Sequence, residues 1–409
     1  MHSPLMSLPD NTDIAIIGAG PHALTLVAHL LQKRQTLRDS FLVLDPSGTW
    51  MRQWHQQFAA LEIPHLRSPV VHHPDPNSGA LRSFAEFRSQ ELFPPYDLPG
   101  TRLFGDFCQN LIDRWQLRER VLPAQVQRIE PITHRSRSRW RLWLAEGHSI
   151  FSRRVVLAIG GGSLQVPDWV ARIPLPYPRD QLCHSQQVDL RNLQLAGERI
   201  LIVGGGLTSG HLAVGALARG AEVLLMVRRN LQEKLFDAEP GWLGPKYLKG
   251  FAAEPDCQRR WEMIQQARNG GSMTPAMMMA LRRHQRQRKL TIHEHCQITE
   301  AHWQNNRWQI HCQDGESLEC DHLWLATGTK LDAMTQPLFK EILAAYPNEM
   351  VNGLPVLDTH LRWPGCELYL MGGLAGLQVG PVARNLSGAR MASDRIVPAL
   401  AKPSLALVQ

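Results

Sequence analysis

Residues 13–26 read DIAIIGAGPHALTL, an apolar run followed by two closely spaced glycines and then by a helical pattern. The run at 14–17 has the length and composition of a buried strand. Apolar residues then recur at the spacing of one helix face, at Leu24, Val27, Ala28 and Leu31. A second apolar run at 41–44 ends in Asp45. Strand, glycine turn, helix, strand and acid follow one another as in a βαβ dinucleotide-binding unit.

Each residue of this turn has a physical reason to be there. Gly18 permits the tight turn, and Gly20 lets a pyrophosphate approach the backbone. A small third residue lets the helix pack closely on the strand, and free N–H groups at the helix start favour phosphate. Asp45 can accept hydrogen bonds from an adenosine ribose. We therefore predict a nucleotide site formed by Gly18, Gly20, Pro21, His22, Ala23 and Asp45.

The same plan recurs near the middle of the chain, in RILIVGGGLTSGHLA at 199–213. A strand at 200–203 is followed by a glycine turn, a helix at 210–219 and a strand at 223–227. We predict a second nucleotide site at Gly204, Gly206, Thr208 and Ser209. The second strand ends in Arg228 and Arg229 where the first unit has an acid, which favours a 2′-phosphate and hence NADPH over NADH. The alternative is a pair of solvated arginines.

Three further apolar stretches follow each unit, at 126–133, 139–145 and 149–162 and again at 296–303, 307–313 and 317–328. Tight-turn pairs such as Asn305-Asn306 and Asp314-Gly315 predict antiparallel meanders, and each series ends in a glycine turn. The fold class is therefore α/β, with two three-layer Rossmann-like domains that each carry an antiparallel β-meander. We assign Thr327 and Gly328, in the second of these turns, to NADPH binding or to the domain interface.

The repeat suggests how the chain divides. We predict a discontinuous first domain, 1–190 plus 322–409, and a second domain, 191–321, with a helical insert at about 231–290. A loop-rich segment at 50–100 also lies outside the repeat. After the first unit, Thr49 and Trp50 are predicted either to line the bound cofactor or, for Trp50, to close the core. In the tail, Pro381 marks a helix start whose positive end would face the cofactor, next to Gln378 and Gly380. The alternative there is an ordinary capped helix.

Composition excludes several classes of protein. The 409 residues are 44% hydrophobic and 20% charged, with a net charge of +7, which suits anionic cofactors. No apolar run approaches the ~18 residues of a membrane span, and the start of the chain lacks the features of a signal peptide. We expect a cytoplasmic protein without membrane or nucleic-acid partners, and leave open whether it forms a homo-oligomer.

The seven cysteines form no Cys-x-x-Cys pair, so a redox dithiol is not expected. Two groups of side chains, His65, His72, His73 and Asp75, and His293, His295 and Cys296, suggest metal ligands. With 18 histidines in the chain, coincidence is the better explanation, and we predict no metal.

The paired units resemble the flavoproteins with paired FAD and NAD(P)H domains, in a glutathione-reductase-like arrangement. Within them, the chain is similar to flavin-dependent monooxygenases, above all the lysine and ornithine N-hydroxylases of siderophore synthesis. The resemblance rests on GAGPHA, DPSGTW, His184-Ser185, Ala326-Thr327-Gly328 and LQVGPVARN. The motif around His184 is incomplete, because Pro178, Asp180 and Val188 stand at its other positions.

The resemblance implies FAD at the first turn and NADPH at the second. It implies a monooxygenase that oxygenates a soft nucleophile, an amine or a sulfide, with molecular oxygen through a C4a-hydroperoxyflavin. No catalytic side chain is identified. One alternative is an NADPH-dependent reductase or diaphorase that passes electrons to a quinone or protein acceptor. Another is a nucleotide-sensing regulatory protein without turnover.

Overall fold

The structure is a computed structural model, and it describes residues 9–134, 137–160, 162–268 and 270–402. The α-helices are α1 (Pro21–Lys33), α2 (Arg52–Ala60), α3 (Ala80–Phe84), α4 (Thr101–Arg114), α5 (Leu207–Ala218), α6 (Pro245–Ala253), α7 (Cys257–Arg268), α8 (Pro275–Arg286), α9 (Lys340–Ala345), α10 (Gly376–Val379) and α11 (Leu386–Leu400). Among the described residues, no helix is both long and apolar enough to cross a membrane.

The strands are β1 (Asn11–Ile17), β2 (Phe41–Asp45), β3 (Leu92–Phe93), β4 (Leu98–Pro99), β5 (Val121–Pro123), β6 (Val126–His134), β7 (Arg137–Leu144), β8 (Ser149–Leu157), β9 (Ser163–Leu164), β10 (Leu182–His184), β11 (Arg199–Val203), β12 (Glu222–Val227), β13 (Leu290–Glu294), β14 (Ile298–Gln304), β15 (Arg307–Cys312), β16 (Ser317–Cys320), β17 (His322–Leu325), β18 (Thr329–Lys330), β19 (Met350–Val351), β20 (Leu354–Pro355) and β21 (Leu368–Leu370).

The first sheet has seven strands, in the order β5-β2-β1-β8-β7-β6, with β21 added beside β8. Strands β5, β2, β1, β8 and β21 run parallel, whereas β6, β7 and β8 pair antiparallel. The apolar run at 14–17 is fully buried at the centre, because a parallel strand covered on both faces needs apolar side chains on both.

The second sheet is fully parallel, in the order β10-β17-β11-β12-β13. A separate antiparallel sheet, β14-β15-β16, packs against it around buried Trp308, Leu201 and Met226. Asn305 and Asn306 both adopt positive φ in the turn between β14 and β15, as the Asn-Asn pair predicts.

The predicted helical insert contains α6, α7 and α8, but these helices do not all pack on the second unit. Phe251 of α6 and Ile264 of α7 belong to the core around the first sheet. Met278 and Leu281 of α8 belong to the core around α5. Leu61, which follows α2, also lies in that second core. The two halves are therefore held together by segments that cross in both directions.

The carboxyl-terminal segment returns to the first sheet, since β21 pairs with β8 and α11 packs against α1. The predicted helix start at Pro381 is wrong: α11 begins at Leu386, and residues 381–384 form a turn. The N–H of Ala383 donates to Gly380 in this turn, and Gly380 has φ +93°. Proline fixes the same φ at the first position of a helix and of a turn, so its presence does not separate the two.

Candidate functional site

A cleft of about 2280 Å³ runs along the carboxyl ends of both parallel sheets. Crevices at this edge are where open α/β sheets bind ligands. The cleft is lined at one end by Gly18, Gly20 and His22, and at the other by Gly204 and Gly206. The structure therefore brings both predicted glycine turns to one continuous space.

The two turns have the same construction. Gly18 has φ +99° and donates its N–H to Leu44, while Gly204 has φ +146° and donates to Met226. A Cβ on Gly18 would lie 2.6 Å from the carbonyl oxygen of Ala158. A Cβ on Gly204 would collide with the corresponding carbonyl of Ala326. The first glycine of each turn is thus required by the protein itself.

The second glycine of each turn pattern, Gly20 or Gly206, serves a different purpose. Both residues have negative φ, and a Cβ built on either would meet nothing within 4 Å. Each glycine caps the start of a helix without a side-chain cap, so free N–H groups face the cleft. The open space above these two glycines is available to a ligand.

The strand registers refine the comparison between Asp45 and the arginines. Leu44 stands opposite Ile17, and Met226 stands opposite Val203. The position of Asp45 therefore corresponds to Val227, and Arg228 comes one residue later. Asp45 itself supports its turn, because its carboxylate accepts hydrogen bonds from the N–H of Ala19 at 3.1 Å and from Ser47.

Arg228 and Arg229 both line the cleft, but in different ways. Arg228 is exposed and makes no ion pair within the described part of the chain. The guanidinium of Arg229 lies against Gly270. Arg228 is thus the cation more available to a ligand phosphate.

His184 and the turn at 326–328 are joined at the mouth of the second unit. The ring of His184 is buried; its Nε2 donates to the carbonyl oxygen of Gly328 at 3.0 Å, and its Nδ1 accepts from the N–H of Gln186. Burial lowers the pKa of His184, while the Gly328 carbonyl raises it. Thr327 donates to the carbonyl of Gln165. Thr327 and Gly328 line the cleft, and both bond to Gln165, next to the place where β18 pairs with β9.

The tail contributes a second wall to the first turn. His22 donates from Nε2 to Ala383 at 3.1 Å, and Gly380 and Ala383 line the cleft. Gln378 is buried between the lining residues Gly376 and Gly380, and both polar atoms of its amide lack a hydrogen-bond partner among the described residues. An unpartnered buried amide is costly to keep without a ligand or water.

Five predicted residues do not line the cleft: Ala23, Thr49, Trp50, Ser209 and the buried Gln378. Trp50 is buried and donates its indole N–H to Leu117 at 2.9 Å, which matches the alternative of a core-closing residue. Thr49 is exposed outside the lining. Ala23 and Ser209 are buried in their helices, where they support the turns rather than face the cleft. Pro21 and Thr208 line it.

Arg67 is a residue that sequence reasoning missed. Its guanidinium donates to the carbonyls of Leu235, Lys234 and Ser272 and pairs with Asp237 at 2.6 Å. Burial lowers its pKa, and Asp237 opposes that shift. These contacts join the loop after α2 to the segment before α6 at the edge of the cleft. No local pattern could have found them, because the partners are about 170 residues apart.

The suspected histidine groups are not assembled as metal sites. The ring of His65 packs at a tilt on Phe93, and His73 donates from Nε2 to the carbonyl oxygen of Ser78. His295 bonds to Asn230, and His293 pairs with Glu316. Cys296 instead lies close to Cys312 and Asp314.

The site fits the predicted cofactors. The open faces of Gly20 and Gly206 leave room for pyrophosphates, the free helix starts supply N–H donors, and Arg228 supplies a cation. The unpartnered amide of Gln378 is buried behind the lining residues Gly376 and Gly380. The fold and site thus define a protein with two dinucleotide sites that meet in one cleft.

Comparison with known proteins places the chain within this class. A family model described as FAD-NAD(P)-binding matches residues 15–162, and one described as L-lysine 6-monooxygenase/L-ornithine 5-monooxygenase matches residues 104–330. The chain belongs to the latter family, which confirms the predicted resemblance and the cofactors FAD and NADPH. It is 26% identical over 166 residues to the L-lysine N6-monooxygenase of Escherichia coli, a match that covers 36% of this chain and 39% of that protein.

Solved structures agree in fold. The ornithine N-hydroxylase of Kutzneria sp. 744, solved with reduced FAD, NADP⁺ and L-ornithine, has a TM-score of 0.78 at 17% identity, covering 95% of this chain and 99% of that one. The cadaverine monooxygenase of Erwinia amylovora has a TM-score of 0.75 at 17% identity, covering 95% and 94%. The ornithine hydroxylase of Pseudomonas aeruginosa has a TM-score of 0.73 at 16% identity, covering 95% and 98%.

Proposed function

We propose that this protein is an FAD- and NADPH-dependent monooxygenase that oxygenates the nitrogen of an amine. The observation that carries the proposal is the single cleft that both glycine turns line. Two nucleotides bound at these turns would meet in one space, as hydride transfer from one to the other requires. Membership of the lysine and ornithine monooxygenase family supports the amine as the nucleophile, in preference to a sulfide.

Residues of the first turn and the tail would hold FAD: Gly18, Gly20, Pro21, His22, Asp45, Gln378 and Gly380. The N–H groups at the start of α1 would bind the pyrophosphate, and the buried Gln378 has a donor and an acceptor that no described residue uses. Residues of the second turn would hold NADPH: Gly204, Gly206, Thr208 and Arg228. Arg228 supplies the charge for a 2′-phosphate. The chemistry that bound FAD would supply is acceptance of a hydride and activation of oxygen.

The protein's own part is positioning and exclusion of water. Arg67 and Asp237 clamp the loop after α2 to the insert, and His184 fixes the turn at Gly328. All four of these residues line the cleft, so the contacts join segments of its wall. A cleft with fixed walls favours transfer between bound partners over reaction with solvent.

We also propose the finer organisation that the repeat suggests. The FAD domain is discontinuous and the NADPH domain lies between its two parts, in a glutathione-reductase-like arrangement. Because β10 (Leu182–His184) and β17 (His322–Leu325) pair in the second sheet, we place both boundaries of the NADPH domain outside the predicted 191–321. Molecular oxygen is the second substrate, and the cytoplasm is the site of action. The return of β21 and α11 to the first sheet supports the discontinuous domain.

Steady-state turnover tests the function. The purified protein, loaded with FAD, is given NADPH, oxygen and a panel of diamines, basic amino acids and thioethers, and hydroxylamine, sulfoxide and peroxide are quantified. The proposal predicts that one amine class raises NADPH oxidation and yields hydroxylamine in proportion. Fast turnover with a quinone or a ferredoxin-like acceptor, with no oxygenated product from any compound, would indicate the reductase instead.

A further inference from the structure

Cys296, Cys312 and Asp314 meet at one corner of the second half, where Cys296 also lines the cleft. The two Sγ atoms and a carboxylate oxygen of Asp314 all lie within 4.8 Å of one another. The thiols are buried, with 3% and 5% of their residues exposed, whereas Asp314 is exposed. Across the described ranges, this is the one group of three such side chains that could hold a metal ion.

The backbone holds this cluster in place without any ligand. Cys296 follows β13 and donates its N–H to Val227 at 3.2 Å. Cys312 ends β15, opposite Ile298 of β14. Asp314 lies in the turn to β16, where its carboxylate accepts the N–H of Glu316 at 3.0 Å. Three donor atoms are thus brought together by paired strands and a tight turn.

We propose that Cys296, Cys312 and Asp314 form a binding site for Zn²⁺. Two thiolates and one carboxylate are donors that zinc prefers, and three protein ligands leave the fourth tetrahedral position to water. The exposed side of Asp314 gives the ion a route from solvent, while the buried thiols give it a dry inner face. None of the residues proposed to hold FAD or NADPH belongs to this cluster.

Binding is a balanced exchange. Each thiol loses its proton and forms a Zn–S bond, the carboxylate of Asp314 forms the third bond, and water forms the fourth. Two protons leave for each ion bound, and nothing is oxidised or reduced. The ion would tie the connection between β13 and β14 to the turn between β15 and β16. Gln297, the residue after Cys296, lines the cleft, so the site would also stiffen that wall.

Metal titration of the full chain tests the proposal. The protein is reduced, treated with chelator and titrated with Zn²⁺ against a chromophoric chelator, and separately with Cd²⁺, whose thiolate complexes absorb in the near ultraviolet. The variants are Cys296→Ser, Cys312→Ser and Asp314→Asn. Cys320→Ser is the matched control, because Cys320 is a buried thiol of the neighbouring strand that lies outside the cluster.

We expect one ion per chain in the wild type and in Cys320→Ser. Either serine variant of the cluster should lose the ion and the cadmium–thiolate absorbance, and Asp314→Asn should weaken binding roughly tenfold. Asp314 is exposed, so its variant keeps the test valid if a serine variant does not fold. Equal binding in the wild type and in Asp314→Asn, no stoichiometric binding, or conversion of the two thiols to a disulfide without metal uptake would each overturn the proposal.

Discussion

The imidazole of His22, in the first glycine turn, donates from Nε2 to the carbonyl oxygen of Ala383, 361 residues further along the chain, at 3.1 Å. Burial lowers the pKa of His22, and the bond to Ala383 raises it. The histidine belongs to the start of α1 and the carbonyl to the turn before α11. The first nucleotide site is therefore built from both ends of the chain.

Replacing His22 should loosen this site. In His22→Ala the carbonyl of Ala383 loses its donor, and one such bond contributes about 0.5–1.5 kcal/mol. We expect FAD to bind about 2- to 12-fold more weakly. The measurement is FAD fluorescence during titration of apoprotein, with His148→Ala as the exposed control. Unchanged FAD affinity in His22→Ala would show that the tail does not help to form the FAD site.

Alanine at the second glycine of each turn should weaken cofactor binding without unfolding the protein. Gly20→Ala and Gly206→Ala add a methyl group that contacts no protein atom within 4 Å, so both variants should fold. The methyl occupies space that a pyrophosphate needs, and overpacking costs about 1–3 kcal/mol. Gly20→Ala should thus lose FAD, whereas Gly206→Ala should keep FAD and bind NADPH about 5- to 150-fold more weakly.

Alanine at the first glycine of each turn should instead destabilise the fold. Gly18→Ala and Gly204→Ala place a methyl against a backbone carbonyl at positive φ, so they should lower the free energy of unfolding itself. Thermal unfolding of the four proteins and their flavin content check this. Tight NADPH binding by Gly206→Ala would argue that the second turn does not hold the dinucleotide.

Arg228 should select NADPH over NADH. Its guanidinium is exposed in the cleft, and losing one charge-assisted contact costs about 1.5–3 kcal/mol. Arg228→Ala should therefore weaken NADPH binding about 10- to 150-fold and leave NADH binding nearly unchanged. Arg229→Ala is the companion variant, with a smaller effect because its side chain lies against Gly270. If Arg228→Ala weakens NADPH binding and NADH binding equally, Arg228 does not bind the 2′-phosphate.

Two half-buried histidines should make the fold sensitive to acid. Burial lowers the pKa of His72 and of His211 to about 4, with smaller effects from His73 and Arg390 on the first and from His65 on the second. Because these values lie below the ordinary value of 6.5, stability is complete above pH 6.5 and falls as the pH approaches 4. Each imidazole contributes up to about 3 kcal/mol to this loss.

The variants His72→Gln and His211→Gln test the acid sensitivity. Relative to its value at pH 8, the free energy of unfolding of each variant should fall less than that of the wild type as the pH is lowered. The reason is that each variant has one proton fewer to take up on unfolding. Denaturant titrations at several pH values measure the slope. Slopes identical to that of the wild type in both variants would assign the acid sensitivity to other groups.

The elements that the sequence predicted well are those whose pattern lies in neighbouring residues. Strand β1, helix α1 and strand β2 follow from apolar runs and periodicity, and the turn at Asn305-Asn306 follows from its residue types. The helix start at Pro381 was wrong, because proline suits a turn and a helix equally at one position. The role of Trp50 depends on its distance from Leu117, which no local pattern contains.

The rest of the site depends on contacts between distant segments. Arg67 meets Asp237 across 170 positions, and the cluster of Cys296 joins residues of separate elements. The position of Arg228 relative to Asp45 also required strand registers, which show that the arginine stands one residue later than the acid. Residue types indicated the cofactors; the pairing of strands was needed to place the side chains.

The central claim is that both cofactors act in one cleft to transfer an oxygen atom to an amine. The most direct measurement is turnover of FAD-loaded protein with NADPH and an accepted amine under ¹⁸O₂, followed by mass spectrometry of the product. The account predicts a hydroxylamine that carries one oxygen atom from ¹⁸O₂, formed in proportion to the NADPH consumed. NADPH oxidation that yields only labelled peroxide, with no labelled product from any amine of the panel, would contradict it.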